Sequence, residues 1–424
     1  MGVLTRRAVL GLISGLPLTC VRPRWAWTQT PPRVVVVGGG FGGATCAKYL
    51  RRADPHLDIT LIEPHHQFVA CPFSNAVLGG LRDLASVTHT YDGLRQRYGV
   101  RLVHATVTTL DPAAHQVTLS DGTRLAYDRL VLAPGVEMQW GALEGYDIAA
   151  SERFPHAWQA GPQTLLLRRQ LEAMADGGLV VLTAPDNPYR CPPGPYERAS
   201  LIAHYLKTHK PRSKVLLLDT KDTFTKQALF RTAWARLYPG ILEWVSGSQG
   251  GRAVRVDVSG GTVHTDFDEY KPAVANIIPP QRAAAIARAA GLDGGTGWCS
   301  IHPRTFESTV HTDIHLLGDA IIASPMPKSA FSANNQAKVC AAAIVALLRG
   351  TPVAEPILMN TCYSLVAPDY GISITGVYGA VGEKIVAVAG SEGTSPVDAP
   401  DEVRHREAAY AQSWYANITA DVFT

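Results

Sequence analysis

Residues 34–43 read Val-Val-Val-Val-Gly-Gly-Gly-Phe-Gly-Gly, four β-branched residues that break directly into glycine. The valines suit a strand buried on both faces of a parallel sheet, and a glycine turn then opens a helix. Gly38, Gly40 and Gly43 occupy the G-x-G-x-x-G positions. The first permits a tight turn, the second lets the backbone approach a pyrophosphate, and the third allows close helix–strand packing. A helix beginning near Ala44 would aim its N-terminal N–H groups at that anion. A second strand is predicted at Asp58–Ile62 and ends in Glu63, where a carboxylate meets a ribose hydroxyl. Three glycines alone are common; the whole strand–turn–helix–strand–acid succession specifies a dinucleotide site.

Downstream, residues 106–125 read as a hairpin with its turn at Ser120-Asp121-Gly122, and Tyr127–Gly135 reads as an apolar strand ending in a glycine turn. Flavoprotein disulfide reductases carry a similar strand-then-glycine segment after their first nucleotide unit, which implies that Gly135 borders the cofactor. A second βαβ skeleton follows: a strand at Leu179–Thr183, a helix at Glu197–Lys207 and a strand at Lys214–Leu218 ending in Asp219. In a reductase with two dinucleotides this unit would bind NAD(P)H. Here its phosphate loop, residues 184–195, reads A-P-D-N-P-Y-R-C-P-P-G-P, with one glycine and five prolines. Proline offers no N–H to a phosphate and cannot reach positive φ, so the nicotinamide site is expected to be lost while the architecture stays. The chain is expected to return to the first domain around Ala273–Ile278. A strand within Thr312–Ala320 then presents Gly318-Asp319, and in flavoproteins of this organisation that aspartate hydrogen-bonds the ribityl chain. A helix over Ser332–Arg349 follows. The expected fold class is α/β, with two Rossmann-like units. A discontinuous FAD-binding domain covers 31–155 and 275–350, a second unit without a nicotinamide site covers 156–274, and an interface-type segment covers 351–424. A Gly/Ser/Pro-rich break interrupts the last at Gly390–Pro400.

A chain of 424 residues is long for one core, so two or three domains are expected. Apolar content of 46% with 18% charged residues is ordinary for a globular enzyme. No stretch after the N-terminus approaches the roughly 20 apolar residues that span a bilayer. Arg6-Arg7 followed by the apolar run from Val9 to about Leu18 has the layout of a twin-arginine export leader, with cleavage near Ala26. Losing the leader's four arginines, Arg6, Arg7, Arg22 and Arg24, would take the net charge from +3 to −1, which leaves no basic bias towards nucleic acid. Pro17-Leu18-Thr19 before Cys20 is a poor lipid-attachment motif. The expected location is the periplasm, where disulfides can persist.

Seven cysteines are present, and none forms a C-x-x-C or C-x4-C redox pair, so any redox pair must join distant segments. Cys191 stands out because it lies in the proline-rich loop; by spacing alone its partner stays open. Cys340 and Cys46 sit in helical apolar contexts that suit packing. Cys299 and His302 have C-x-x-H spacing without a second pair, so no metal site is expected. No C-x-x-C-H haem motif is present.

The segments Arg190-Cys191-Pro192-Pro193-Gly194-Pro195-Tyr196-Glu197-Arg198-Ala199 and Asn360-Thr361-Cys362-Tyr363-Ser364 resemble the flavoprotein subunits of flavocytochrome c sulfide dehydrogenases. Ile278-Pro279-Pro280-Gln281, Met326-Pro327-Lys328-Ser329 and Ser413-Trp414-Tyr415 are similar to them too, so the likeness runs through essentially the whole chain. The resemblance implies FAD, joined covalently through Cys71 in Val69-Ala70-Cys71-Pro72-Phe73-Ser74-Asn75, with Lys328 beside the cofactor. It implies a redox disulfide between Cys191 and Cys362, with Glu197 as a proton shuttle. It also implies a c-type cytochrome subunit as partner, carrying the haem, with sulfide as substrate and residues 351–424 as docking surface.

Three other functions fit parts of this pattern. A sulfide:quinone oxidoreductase shares the layout and the cysteine logic, but would need a membrane-facing apolar C-terminus. Here Asp401, Glu402, Arg404, His405, Arg406 and Glu407 precede a modestly amphipathic Ala408–Phe423, which argues against stable membrane insertion. The proline-filled loop disfavours an NAD(P)H-dependent reductase. A non-catalytic flavin-binding protein would have no use for a redox disulfide.

Overall fold

A computed structural model describes residues 30–424; the expected export leader and Cys20 lie outside them. The valine run forms strand β1 (Arg33–Val37), and the glycine turn delivers the chain into helix α1 (Phe41–Ala53). The helix starts before Ala44 because Gly40 supplies the extended N-cap, at φ −72° and ψ −170°. Strands β2 (Asp58–Ile62), β3 (Arg101–Val103) and β4 (Arg129–Leu132) then add in parallel, with Val34 opposite both Ile59 and Arg129. Between β3 and β4 the expected hairpin is a three-stranded antiparallel meander, Val107–Asp111, Gln116–Leu119 and Arg124–Ala126.

A second parallel sheet comes next, from β5 (Leu179–Ala184), β6 (Lys214–Asp219), β7 (Leu242–Val245) and β8 (Val274–Ile277), in the order β7-β6-β5-β8. Helix α2 (Gly194–His209) crosses between β5 and β6 and buries Ala199, Ile202, Ala203 and Leu206. β8 corrects the expected domain boundary. The sequence pattern puts the return to the first unit around Ala273–Ile278, yet Val180–Thr183 of β5 pair with Val274–Ile277. A short apolar run can join either parallel sheet, and its local pattern does not say which. The crossing back comes at Gln281–Ala283, which pairs antiparallel with Val136–Met138.

Strand β9 (Ile314–Leu316) then pairs with β4, giving the first sheet its order β9-β4-β1-β2-β3. Helix α3 (Ala330–Leu348) lies on α1, where Asn334 Nδ2 donates to Thr45 Oγ1 at 3.0 Å. The remaining chain forms the antiparallel strands β10 (Leu358–Ala367), β11 (Tyr370–Val381) and β12 (Lys384–Ala387), then helix α4 (Asp401–Phe423). This segment is tied back onto the first sheet. Phe423 stacks on Phe68 at 5.4 Å and on His89 at 5.0 Å, and Lys48 Nζ donates to the Asp421 and Thr424 carbonyls at 2.7 and 2.8 Å. Among the described residues no helix is long and apolar enough to cross a membrane.

The glycine turn shows why it tolerates no side chain at two positions. Gly38 has φ +99° and its added Cβ would lie 2.4 Å from the Ala133 carbonyl oxygen; at Gly43 the Cβ would lie 1.9 Å from the Gly38 oxygen. Gly40 is different, because its Cβ would meet only the Phe68 ring, at 3.5 Å, so the space before the loop stays open. Gly43→Ala is therefore expected to cost at least about 2 kcal/mol of stability through forced displacement of the turn. The thermal unfolding midpoint of the purified variant would fall.

Candidate functional site

The loop between β5 and α2 is built to hold one thiol in a fixed place. Tyr189 donates its hydroxyl to the Pro192 carbonyl at 2.9 Å, the Arg190 N–H donates to Gln281 Oε1 at 3.0 Å, and the Cys191 N–H donates to the Lys328 carbonyl at 2.8 Å. These ties keep Cys191 at φ +58°, a left-handed conformation that costs a side-chain-bearing residue about 1–2 kcal/mol. The Trp158 ring closes one side: a Cβ at Gly194 would lie 2.6 Å from it and 3.1 Å from Cys191 Sγ.

Cys362 lies in the middle of β10, opposite Ile374. It and Cys191 are free thiols that together line a cavity of about 490 Å³, with Pro192, Pro193, Ser329, Asn360 and Thr375 among its walls. Burial pushes both thiols above their ordinary pKa. Glu197, in the first turn of α2, is raised to about 7 by burial; Lys226, the Ser364 hydroxyl, the Asn75 amide and Arg198 oppose that rise. A carboxyl titrating near neutrality beside two sulfurs is suited to moving protons. Arg198 is 2% exposed and stays satisfied by donating to Asn75 Oδ1, Asn276 Oδ1 and the His156 and Ala157 carbonyls at 2.7–3.0 Å.

Arg190 connects this cysteine pair to the third cysteine. Burial acts to lower its pKa, but Cys71, Asp319 and Cys191 around it raise it on balance. Its Nη2 donates to the Trp158 carbonyl, and Cys71 Sγ lies 3.7 Å from the same oxygen. Asp319 has a buried Oδ1 with no hydrogen-bond partner, and burial raises its pKa against the pull of Arg190 and Lys328. Lys328 donates Nζ to the carbonyls of Asp319 and Ile321 at 2.9 and 2.5 Å and sits 3.9 Å from the centre of the Trp298 ring. Burial lowers it to about 8.

The dinucleotide fingerprint makes a second group. Glu63 Oε2 accepts the Gly39 N–H at 2.8 Å, while Oε1 faces the His65 N–H and Nδ1, both at 3.0 Å. A carboxylate has further lone pairs, so these contacts leave capacity for a ribose hydroxyl. Gly135 has φ +69° with open space at its Cβ position. The open ground before Gly40, the unpartnered Asp319 oxygen and the Cys71 thiol together fit FAD. In the second unit, the corresponding acid is unavailable: Asp219 is fully buried and accepts from Tyr196 Oη, Lys221 Nζ and Trp244 Nε1 at 2.6–3.1 Å. His302 Nδ1 lies 2.7 Å from Glu383 Oε2, and no cluster of three or more metal-ligating residues occurs among the described residues.

Two participants had no sequence signature. Lys226 follows no motif, and Trp158 acts through its main-chain oxygen as well as its ring. Asn75, Arg190, Arg198 and Ser364 lie inside the motifs quoted for the resemblance, so proximity to the cysteines was their available cue.

Comparison with known proteins gives the family. Residues 164–279 match the central domain of the sulfide dehydrogenase (flavocytochrome c) flavoprotein chain, residues 354–423 its flavin-binding domain, and residues 32–156 the pyridine nucleotide-disulphide oxidoreductase domain. Over 45 residues the chain is 71% identical to the sulfide dehydrogenase (flavocytochrome c) flavoprotein chain of Chlorobaculum thiosulfatiphilum, covering 94% of that sequence and 11% of this one. This chain belongs to the flavocytochrome c sulfide dehydrogenase flavoprotein family. It is an FAD-dependent oxidoreductase acting on sulfide. Over 182 residues it is 30% identical to a sulfide-quinone reductase of Aquifex aeolicus, covering 43% of this chain and 41% of that one. The crystal structure of the sulfide:quinone oxidoreductase of the same bacterium shares the fold, with a TM-score of 0.72 over 92% of each chain at 18% identity.

Glu197 also carries a stability signature. Its folded-state pKa lies above the unfolded value, so the native state holds the extra proton between about pH 4.5 and 7 and stability falls as pH rises through that window. Glu197→Gln is expected to flatten this limb, as read by denaturant unfolding at several pH values.

Proposed function

We propose that this flavoprotein oxidises sulfide through a redox disulfide between Cys191 and Cys362 and passes the electrons to a separate c-type cytochrome subunit in the periplasm. The observation that carries this reading is the shared cavity: thiols from two distant segments line it, with Glu197 close to both. Hydrosulfide is a soft nucleophile suited to attack on a disulfide sulfur. Attack on Cys191 Sγ breaks the Cys191–Cys362 bond, leaving a persulfide on Cys191 and a thiolate on Cys362. A second hydrosulfide takes the outer sulfur as disulfide anion and restores Cys191, with Glu197 supplying or taking the proton at sulfur. When bound, FAD supplies the two-electron acceptor that returns the dithiol to the disulfide.

Gly38, Gly40 and Gly43 would cradle its pyrophosphate, Glu63 its ribose, and Gly135, Asp319 and Lys328 its central part, with Cys71 forming the covalent link. The blocked Asp219 and the proline loop speak against a nicotinamide donor. The twin-arginine layout supports export, and the lack of C-x-x-C-H supports a haem on another polypeptide. A quinone acceptor is the second reading, favoured by the likeness to the Aquifex aeolicus reductase.

An anaerobic sulfide titration of the mature protein, followed by flavin absorption, tests the core of this reading. Sulfide should bleach the flavin and NADH should not; bleaching by NADH alone would overturn it. Cys191→Ser and Cys362→Ser are each expected to abolish sulfide-dependent reduction while retaining flavin. Cys71→Ser should release its flavin on acid precipitation where the parent keeps it. Steady-state assays with c-type cytochrome and with a soluble quinone separate the two acceptors.

A further inference from the structure

Lys226, like Arg190 and Arg198, is a charged side chain near the cysteine pair that the chemistry above leaves unused. It precedes the helix Gln227–Leu237 with its own backbone at φ +62°, a left-handed conformation unusual for a residue with a side chain. Its side chain runs inward and the residue is 8% exposed. Nζ donates to Ser364 Oγ at 2.8 Å, and this is its one hydrogen-bond partner among the described residues. No carboxylate oxygen of those residues lies within ion-pair distance of it. The nearest aromatic ring, Phe230, has its centre 5.8 Å away.

A buried ammonium that meets one neutral hydroxyl is costly unless negative charge arrives nearby. The strand geometry shows where that charge would arise. Ser364 and Cys362 are two residues apart on β10, so both side chains project from the same face of the strand. The hydroxyl that anchors Nζ therefore stands beside the Cys362 sulfur. Lys226 does not line the cavity, although its neighbour Thr225 does, so the ammonium acts from behind the cysteines.

We propose that Lys226 is the counter-charge for the Cys362 thiolate, the positioning residue that selects which sulfur leaves when the disulfide is opened. This rests on the proposed disulfide chemistry. In that step hydrosulfide bonds to Cys191 Sγ, the Cys191–Cys362 bond breaks, and the electron pair departs on Cys362 beside Nζ. The surrounding charges agree with this choice. Facing Cys362, burial and Glu197 raise its pKa, and Lys226 alone lowers it, against the larger effect of burial. Facing Cys191, Cys362 and Glu197 raise its pKa, and Arg190 acts ahead of Lys226 in lowering it. The ammonium is thus the leading stabiliser of charge at Cys362 and a minor one at Cys191. The persulfide accordingly falls to the cysteine in the proline loop.

The test uses the full holoenzyme, chemically reduced and then alkylated with iodoacetamide across pH, with modification at Cys362 and Cys191 quantified by peptide mass. In the parent, Cys362 should be modified at lower pH than Cys191. Lys226→Met is expected to move the Cys362 profile up by about one pH unit, a tenfold loss of thiolate at fixed pH. It should leave Cys191 nearly unmoved, and Lys226→Arg should restore the profile. Sulfide-dependent flavin reduction should slow about tenfold in the Met variant and recover at higher pH. Should Lys226→Met not fold, Ser364→Ala removes the anchor of Nζ and is expected to shift Cys362 in the same direction by less. A folded, flavin-loaded Lys226→Met protein with an unchanged Cys362 profile would overturn the proposal. Alkylation is independent of sulfide turnover, so this failure is distinguishable from a parent enzyme that does not react with sulfide.

Discussion

The hydrogen bond from the Cys191 N–H to the Lys328 carbonyl, 2.8 Å long, ties the two halves of the site together. One end lies in the loop of the second sheet, and the other follows β9 of the first. Without it a cysteine at positive φ would relax, because the left-handed conformation carries a standing cost. The same loop is anchored a second time through Arg190, whose main-chain N–H reaches Gln281, ahead of β9, and whose guanidinium lies among Cys71, Asp319 and Cys191. The geometry of the flavin side and of the sulfur side is therefore set by one loop.

Buried charge governs what that geometry can do. Arg190, Arg198 and Lys226 bring three cations to a region where burial pushes Cys191, Cys362, Glu197 and Asp319 towards their neutral forms. Arg198 compensates with four hydrogen bonds to neutral acceptors, and so is held without a charged partner. Lys226 has a single hydroxyl. In a low-dielectric setting the difference matters, since an ammonium without a direct ion-pair partner favours whichever neighbouring sulfur can become an anion.

The loop between β5 and α2 differs in chemistry from a phosphate-binding turn although the parallel sheet behind it has the ordinary dinucleotide-fold layout. Five prolines remove N–H donors where a phosphate would need them, and the same rigidity presents Cys191. Asp219 still ends its strand in the position of a ribose-binding acid, but Tyr196, Lys221 and Trp244 occupy its oxygens. The parallel sheet itself is intact, with β5 and β6 in full register.

Much of the architecture was legible in the chain alone, for local reasons. The valine run, the glycine turn, Asp58–Ile62 and the strand that ends at Asp219 are specified by residues adjacent in sequence, and the structure places them there. The sheet to which Val274–Ile277 belongs was not legible, because a buried parallel strand carries no mark of its neighbour. The same holds for the site. Residue types and spacing determined a dinucleotide fold, a proline-filled second loop and a cysteine within it. Only the tertiary structure decided that Cys362 shares a cavity with Cys191, that Asp319 keeps a buried oxygen free, and that Lys226 stands behind the sulfurs. Those facts depend on contacts between segments far apart in sequence, and on burial, which sets charge energies only once the surrounding chain has excluded water.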